Sequence, residues 1–431
     1  MTLQRAFGVS TLAAVAALAL LAALDIAFPP PLERAADRSV IVLDRDGAWL
    51  YAFANRAGRW RFAADLDAVD PTFLERVVAV EDKRFFAHAG VDPLAIARAV
   101  GASLRAGRIV SGASTITMQT ARLLEPRPRT LGAKAIEAFR ALQIERRLTK
   151  NEILALYLTL APYGGNIEGV RAASLIYFGK EPTRLSDAEQ ALLIALPQAP
   201  EARRPDRRPA AARAARDATI DRLASMDLLA ASAANALEPP ARRGVYPRAA
   251  YHAASAAAAE ARVAPPADDT VRLSLDRRLQ TDAAAGLRRW VADRWRVRGE
   301  DGATAAAVIV RVETGEVLAS VGSSGVDAPG GWIDLTGAPR SPGSLLKPFI
   351  YGVAFDDGDL SPDAIVFDGP RAFGAYAPEN FDRGFRGEVR VVDALRHSLN
   401  VTAVAALNDV GPARFRAALG AAGGRYGPLE P

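Results

Sequence analysis

Residues 79–92 read AVEDKRFFAHAGVD, and the rest of the chain is arranged around them. An apolar helical run, Phe73 to Val80, ends in two adjacent carboxylates, Glu81 and Asp82. Two aromatics, a lone histidine, a glycine and an Asp-Pro helix start follow at once. A carboxylate beside apolar side chains is costly to ionise, which is how a general base is made from Glu. A plain surface Glu at a helix end fits this stretch equally well. Its neighbours along the chain have to decide between the two.

Downstream, Ser111 to Gln119 (SGASTITMQ) forms a hydroxyl-rich loop that enters a helix carrying Arg122. Such a helix start suits an anion or a sugar, and equally an ordinary Ser/Thr cap. In the helix expected over 134–148, Ala133, Glu137, Ala141, Ile144 and Leu148 share one face. Glu137 therefore sits in an apolar stripe, unless it pairs on the surface with Lys134 or Arg140. Arg122, Arg127, Arg129 and Lys134 surround it in sequence. A positive cluster beside a carboxylate can hold a diphosphate, directly or through a divalent cation such as Mg or Mn; a solvated basic face is the alternative. Glycines at 164, 165, 169 and 179 point to backbone packed closely against a neighbour.

The 431 residues carry a net charge of +5, half of them are apolar, and there is no cysteine. Two or three domains are expected, with neither disulfides nor Cys-based zinc sites. No Walker or dinucleotide fingerprint occurs, and no nucleic-acid module accompanies the basic residues. Residues 7–28 form a run of 22 with a single charge, Asp25. As a helix it spans roughly 33 Å, enough for a bilayer. Arg5 before it favours an inside N-terminus, so an uncleaved signal-anchor is expected, with a cleaved signal peptide as the alternative. The expected layout is a cytoplasmic tip and anchor over 1–36, a mainly helical domain over 37–235, a linker over 236–269, and a mixed α/β domain over 270–431. Ser39 to Leu43 and Ala48 to Phe53 alternate or cluster apolar residues around Asp46-Gly47 and predict a hairpin, and a second is predicted over 305–321. Asp70-Pro71 and Asp92-Pro93 predict helix starts, as do capping boxes at Thr149/Glu152 and Ser186/Glu189.

Taken together, EDKRFFAHAGVD, GASTITMQ, KAIEAFRALQIERRLTKNEIL, YLTLAPYGGNIEGVRAASLIYFGK and LSDAEQALLIALPQAPEARRPD occur in the order of the five motifs of peptidoglycan glycosyltransferases, family 51. Residues 37–230 resemble that family, most closely the 1C subgroup of class A penicillin-binding proteins. The resemblance implies a lysozyme-like α fold and, as substrates, lipid II and the growing glycan chain. It implies Glu81 as the base, and Glu137 with Arg122, Arg129 and Lys134 on the diphosphate side. Ser114, Thr115 and Gln119 match the cleft-lining loop, while Asp82, Phe85 and His88 match structural positions. Thr159, Ala113 and Ala195 depart from the usual residues of the family. A lipid-linked substrate also implies a single-pass protein of the bacterial inner membrane, catalytic on the periplasmic face, working at the bilayer with other cell-wall synthesis proteins.

Further on, Ser344-Leu345-Leu346-Lys347 is a Ser-x-x-Lys pattern, and Ser398-Leu399-Asn400 supplies Ser-x-Asn. The pair resembles the penicillin-binding acyl-serine transpeptidases, with Ser344 as nucleophile, Lys347 as its base, and Ser398 and Asn400 assisting. No Lys-Thr-Gly follows Asn400, so a truncated, inactive transpeptidase domain is expected. Two other classes stay in view: a serine acyltransferase as the main activity, and a non-catalytic scaffold of wall synthesis.

Overall fold

The computed structural model describes residues 19, 22–106, 114–128, 130–229, 243–244, 246–298 and 303–424. It divides into two compact units, 1–336 and 337–431. In the first, β1 (Val40–Leu43) and β2 (Trp49–Phe53) form the hairpin expected around Asp46-Gly47. β3 (Trp60–Arg61) follows. α1 (Pro71–Glu81) starts at an Asp70 cap, whose side chain accepts the Thr72 N–H at 3.0 Å. α2 (Pro93–Ala106) has the matching Asp92 cap, on the Leu94 N–H at 2.9 Å.

Next come α3 (Ile116–Leu124), α4 (Leu131–Glu145) and α5 (Lys150–Leu160). The Thr149/Glu152 capping box is formed at the start of α5. Short strands β4 (Pro162–Gly164) and β5 (Ile167–Glu168) lead to α6 (Val170–Phe178) and to α7 (Asp187–Ala195), which opens on the Ser186/Glu189 box. α8 (Pro209–Ala224) closes the helical part. β5 is central in a three-stranded sheet, parallel to β3 and antiparallel to β4. The core is made of Phe62, Phe73, Phe85, Ile116, Ile144, Ile153, Tyr163 and Ile167, all fully buried. α1 and α3 to α8 therefore share one apolar interior, and burying that surface is the main force holding the motifs together. Gly164 has φ +101°, and a Cβ there would collide with the Arg204 side chain. The close packing read from the glycines is thus real at this turn.

The Ala-rich stretch within 236–269, read as a linker with some helix, contains α9 (Tyr251–Val263). Its Ala254, Ala257, Ala258 and Ala261 are buried, and Ala254, Ala258 and Ala261 pack on Val40, Val42 and Leu50 of the hairpin. Small side chains at helical spacing let the helix lie close to a sheet. The alternating residues after it, expected to open the second domain, form β6 (Thr270–Arg272), paired in parallel with β1. α10 (Arg277–Arg298) precedes the second predicted hairpin, β7 (Ala307–Val310) and β8 (Val317–Val321), which is antiparallel. Gln280 of α10 donates to Ser320 O and accepts from Ser320 N, which fastens this hairpin to the helix.

Asp269, just before β6, is 2% exposed. Its Oδ2 accepts the Ala63 N–H at 2.5 Å. Arg38 Nε lies 3.0 Å from Oδ1 but makes no aligned hydrogen bond. Burial wins over these partners and pushes the carboxyl up to about 6. The folded state thus holds the Asp269 proton more tightly than the unfolded chain, where the ordinary value is 3.8. This group favours folding below about pH 4, and its contribution is lost as the pH rises through about 6. Asp269→Asn stays neutral throughout. The wild-type stability relative to that variant should fall by on the order of 2–3 kcal/mol between pH 4 and pH 7. Urea midpoints at the two pH values read this directly, and a flat or rising difference contradicts it.

The second unit contains α11 (Lys347–Asp356), the antiparallel pair β9 (Ile365–Asp368) and β10 (Gly387–Arg390), α12 (Val391–Arg396), α13 (Asn400–Val410) and α14 (Pro412–Ala421). Ile350, Tyr351, Ala354, Val391, Ala403, Ala406, Val410 and Phe415 form its core.

Of the expected anchor, residues 7–18, 20 and 21 lie outside the described residues. Among the described residues no helix is long and apolar enough to cross a membrane. The end of the run is visible as a helical turn over 22–27, and its Asp25 docks on α4. The carboxylate accepts from Arg147 Nη1 at 2.6 Å and Gln143 Nε2 at 2.8 Å. The one charge in the run therefore has its partners on the folded domain.

Candidate active site

Glu81 is the last residue of α1 and is half-buried. Its two carboxylate oxygens are held separately. Gln119 Nε2, one turn into α3, donates to Oε2 at 2.9 Å. Gln198 Nε2 donates to Oε1 at 3.0 Å. A carboxylate offers about four lone-pair sites, so two amide donors leave room for an incoming hydroxyl. Buried Tyr157 and Tyr163 lie close by. Burial first, and then the Glu81 charge, push both phenols above their ordinary value, so both remain neutral hydrogen-bonding groups.

Asp82, next in sequence, turns the other way. It is 8% exposed and accepts from His88 Nε2 at 3.0 Å and from the Ile116 N–H at 3.0 Å. His88 Nδ1 accepts the Gly90 N–H at 3.1 Å, which puts the ring proton on Nε2, facing Asp82. Gly90 sits against α4, where a Cβ would lie 2.9 Å from Ala141 O. Phe85 is fully buried beneath Lys150, whose Nζ lies 4.5 Å from the ring centroid. Asp82, Phe85 and His88 therefore pin the first motif to α3 and α5, while Glu81 stays half-buried with the two amides on its carboxylate.

Thr115 caps α3. Its hydroxyl accepts the Met118 N–H at 3.0 Å and donates to Gly90 O at 2.6 Å, and the residue is 2% exposed. Its hydroxyl is thus engaged with backbone groups and holds the loop to Gly90. Ser114 does face outward, and its Oγ accepts from Lys134 Nζ at 2.6 Å. Residues 107–113 and Arg129 lie outside the described residues.

Glu137 is 8% exposed, on the buried face of α4 with Ala133, Ala141 and Ile144. Both readings of it hold at once. It lies in the apolar stripe, and Lys134 Nζ is 2.8 Å from its Oε2. Arg140 is engaged elsewhere, with Glu125 and Gln143. Arg127 also pairs with Glu125. Arg122 has no hydrogen-bond or ion-pair partner among the described residues. It lines a cavity of about 210 Å³ with Arg34, Arg127 and Glu168. Glu168 is already neutralised by Arg61 and Arg59, so the wall is positive and suits an anion. Thr159, one of the departures from the family pattern, faces the core. Its hydroxyl donates to Ala155 O and accepts the Ala64 N–H.

Nothing in the sequence singles out Gln198 or Arg203. Both lie within the last quoted motif, but Gln198 is 117 positions from Glu81 and no periodicity links them.

In the second unit, Lys347 Nζ donates to Ser398 O at 2.5 Å, Ser398 Oγ at 3.0 Å and Asn400 Oδ1 at 2.6 Å. Burial lowers its amine. Ser398 has φ +54°, a strained value for a non-glycine residue, at the turn that aims its hydroxyl. Ser344 is exposed in the 3₁₀ turn Gly343–Leu346, directly before α11. Asn380 accepts the Asn400 N–H at 2.8 Å and donates to buried Asp368, which fixes the start of α13. Lys347, Ser398 and Asn400 are thus gathered, and exposed Ser344 precedes Lys347 by one turn.

Residues 46–224 match the transglycosylase family model, and residues 305–424 match that of the penicillin-binding protein transpeptidase domain. The chain is 40% identical to penicillin-binding protein 1C of Escherichia coli (strain K12), covering 95% of this chain and 53% of that protein. It is 30% identical to penicillin-binding protein 1F of Bacillus subtilis (strain 168), over 78% and 49%. It is 43% identical to penicillin-binding protein 1A of Aquifex aeolicus (strain VF5), over 38% and 23%. The chain spans about half the length of the first two of these relatives. A transglycosylase domain followed by a penicillin-binding transpeptidase domain is the plan of the class A penicillin-binding proteins, and the chain belongs to that family. Its similarity is to the 1C subgroup.

Proposed function

We propose that the first unit is a peptidoglycan glycosyltransferase of lysozyme-like fold that polymerises lipid II into β-1,4 glycan. The observation that carries this reading is Glu81, a half-buried carboxylate held by two amide donors with acceptor capacity to spare. Glu81 takes the proton from the acceptor's 4-hydroxyl. The oxygen attacks the donor's anomeric carbon as the bond to the diphosphate breaks, and the diphosphate leaves with the electron pair. A single displacement inverts the α-linked donor to a β-linked product, by the logic of inverting glycosidases with a sugar hydroxyl in place of water.

The leaving diphosphate is a weak base and needs charge stabilisation more than protonation. Lys134, beside Glu137 and Ser114, supplies it together with Arg122, and Arg129 is the third cation. A divalent cation beside Glu137 would be held by this carboxylate and the substrate phosphates, as Mg-type ions bind through one or two carboxylates plus phosphates. It would add positive charge at the diphosphate. The apolar run near the N-terminus is the expected single anchor in the cytoplasmic membrane, its end lying on the folded domain where Asp25 docks, with both domains on the periplasmic face, where the substrate's lipid tail is held. Other wall-synthesis proteins are partners of the whole assembly, and nucleic acid is not. Release of undecaprenyl diphosphate from lipid II by the purified chain tests the reading, and a folded chain that releases none refutes it.

A second reading concerns the second unit, expected to be inactive as a transpeptidase; the Lys347–Ser398–Asn400 cluster is what a penicillin-type acylation of Ser344 would use. Any covalent label taken from a fluorescent penicillin should disappear in Ser344→Ala. A label that persists in that variant sinks the assignment.

A further inference from the structure

We infer that Gln198, oriented by Arg203, is a positioning residue that holds the Glu81 carboxylate in the geometry needed to take a proton. This rests on Glu81 being the base. Gln198 ends the 3₁₀ turn Leu196–Gln198 that follows α7. Its amide is placed between two charged groups of opposite sign. Nε2 donates to Glu81 Oε1 at 3.0 Å, while Oε1 accepts from Arg203 Nη1 at 3.2 Å. The same Arg203 nitrogen donates to Ala195 O, at the end of α7, at 2.7 Å.

An amide can turn over and present either end. A guanidinium has donors only, so Arg203 selects the orientation in which the NH₂ end faces Glu81. With the amide reversed, its oxygen would face the carboxylate and repel it. Gln119 holds the other carboxylate oxygen from α3. The base is therefore clamped between two elements, and the α7 end of the clamp runs through Arg203. Gln198 is itself exposed, so its role is not to fill the core. Holding a reacting group by preorganised donors is what lets it act without rearrangement at the moment of reaction.

Gln198→Leu should lower kcat for glycan polymerisation about 10- to 100-fold, the range of one lost hydrogen bond to a charged group. KM for lipid II and the thermal midpoint should stay unchanged. Arg203→Met should show the same kcat loss, and Arg203→Lys, which keeps a donor, should restore much of it. The double variant Gln198→Leu/Arg203→Met should be no slower than the worse single one, because the two residues act in series. Additive losses, an effect confined to KM, or unchanged kcat would overturn the inference.

A readout independent of turnover separates this claim from the proposed activity. The Gln198 side-chain NH₂ signals, assigned through their absence in Gln198→Leu, should move with pH in the wild type and stay fixed in Glu81→Gln. If they move equally in both, Gln198 does not sense Glu81, whether or not glycan is made. If they behave as expected but no glycan forms, the contact stands and the glycosyltransferase reading is what fails.

Discussion

Glu81→Gln is expected to lower glycan polymerisation by about 10²- to 10⁴-fold, the usual contribution of a positioned general base. The substitution keeps the shape of the side chain and removes its ability to take a proton. One of the two amides that face Glu81 loses its acceptor, because the new NH₂ group points donor to donor. Glu81 is half-buried and outside the core cluster, so the loss of stability should be about 1 kcal/mol or less. The variant should bind lipid II and remain folded. Rates near wild type would remove Glu81 from the chemistry and bring the scaffold reading forward.

The second large effect is on stability, at a pair far from the reacting atoms. Arg61 on β3 is 2% exposed and Glu168 on β5 is 6% exposed. Arg61 Nε donates to Glu168 Oε2 at 2.8 Å, and its Nη2 makes a second bond to the same oxygen. Its Nη1 donates to Arg34 O at 2.5 Å and to Asp37 O at 3.0 Å. Arg61→Met strips a buried carboxylate of its main partner and leaves two carbonyls without this donor. Arg59 Nε, 3.1 Å from the other oxygen, compensates only in part. Breaking a buried pair in this way costs about 3–5 kcal/mol. Urea unfolding should show that loss. Adding Glu168→Met should recover much of it, since a buried pair replaced by apolar groups is often close to neutral. A single-variant loss below about 1 kcal/mol would show that water reaches the pair.

These two cases also mark what is legible in the sequence. Asp70, Thr149 and Ser186 are local signals whose caps form within three residues, and each helix begins where its cap predicts. The stripe carrying Glu137 depends only on helical period, so its burial is readable as well. Arg61 and Glu168 are 107 positions apart, and their pairing follows from β3 meeting β5, which no local pattern encodes. The same holds for Gln198 and Arg203 beside Glu81, and for β6 beside β1. Composition marks the Ala-rich stretch as a linker with some helix, and the packing of its buried alanines against a sheet is the part that no local pattern encodes. The motif places Thr115 in the cleft-lining loop, where its hydroxyl is engaged with backbone groups.

The most direct test of the central claim is to give lipid II to the purified full chain in detergent with a divalent cation, and to follow both undecaprenyl diphosphate and polymer. The expected result is a glycan that a muramidase cuts at β-1,4 links, formed by the wild type and almost absent with Glu81→Gln. A folded wild type that makes no polymer, or a polymer formed equally well by Glu81→Gln, would contradict the account.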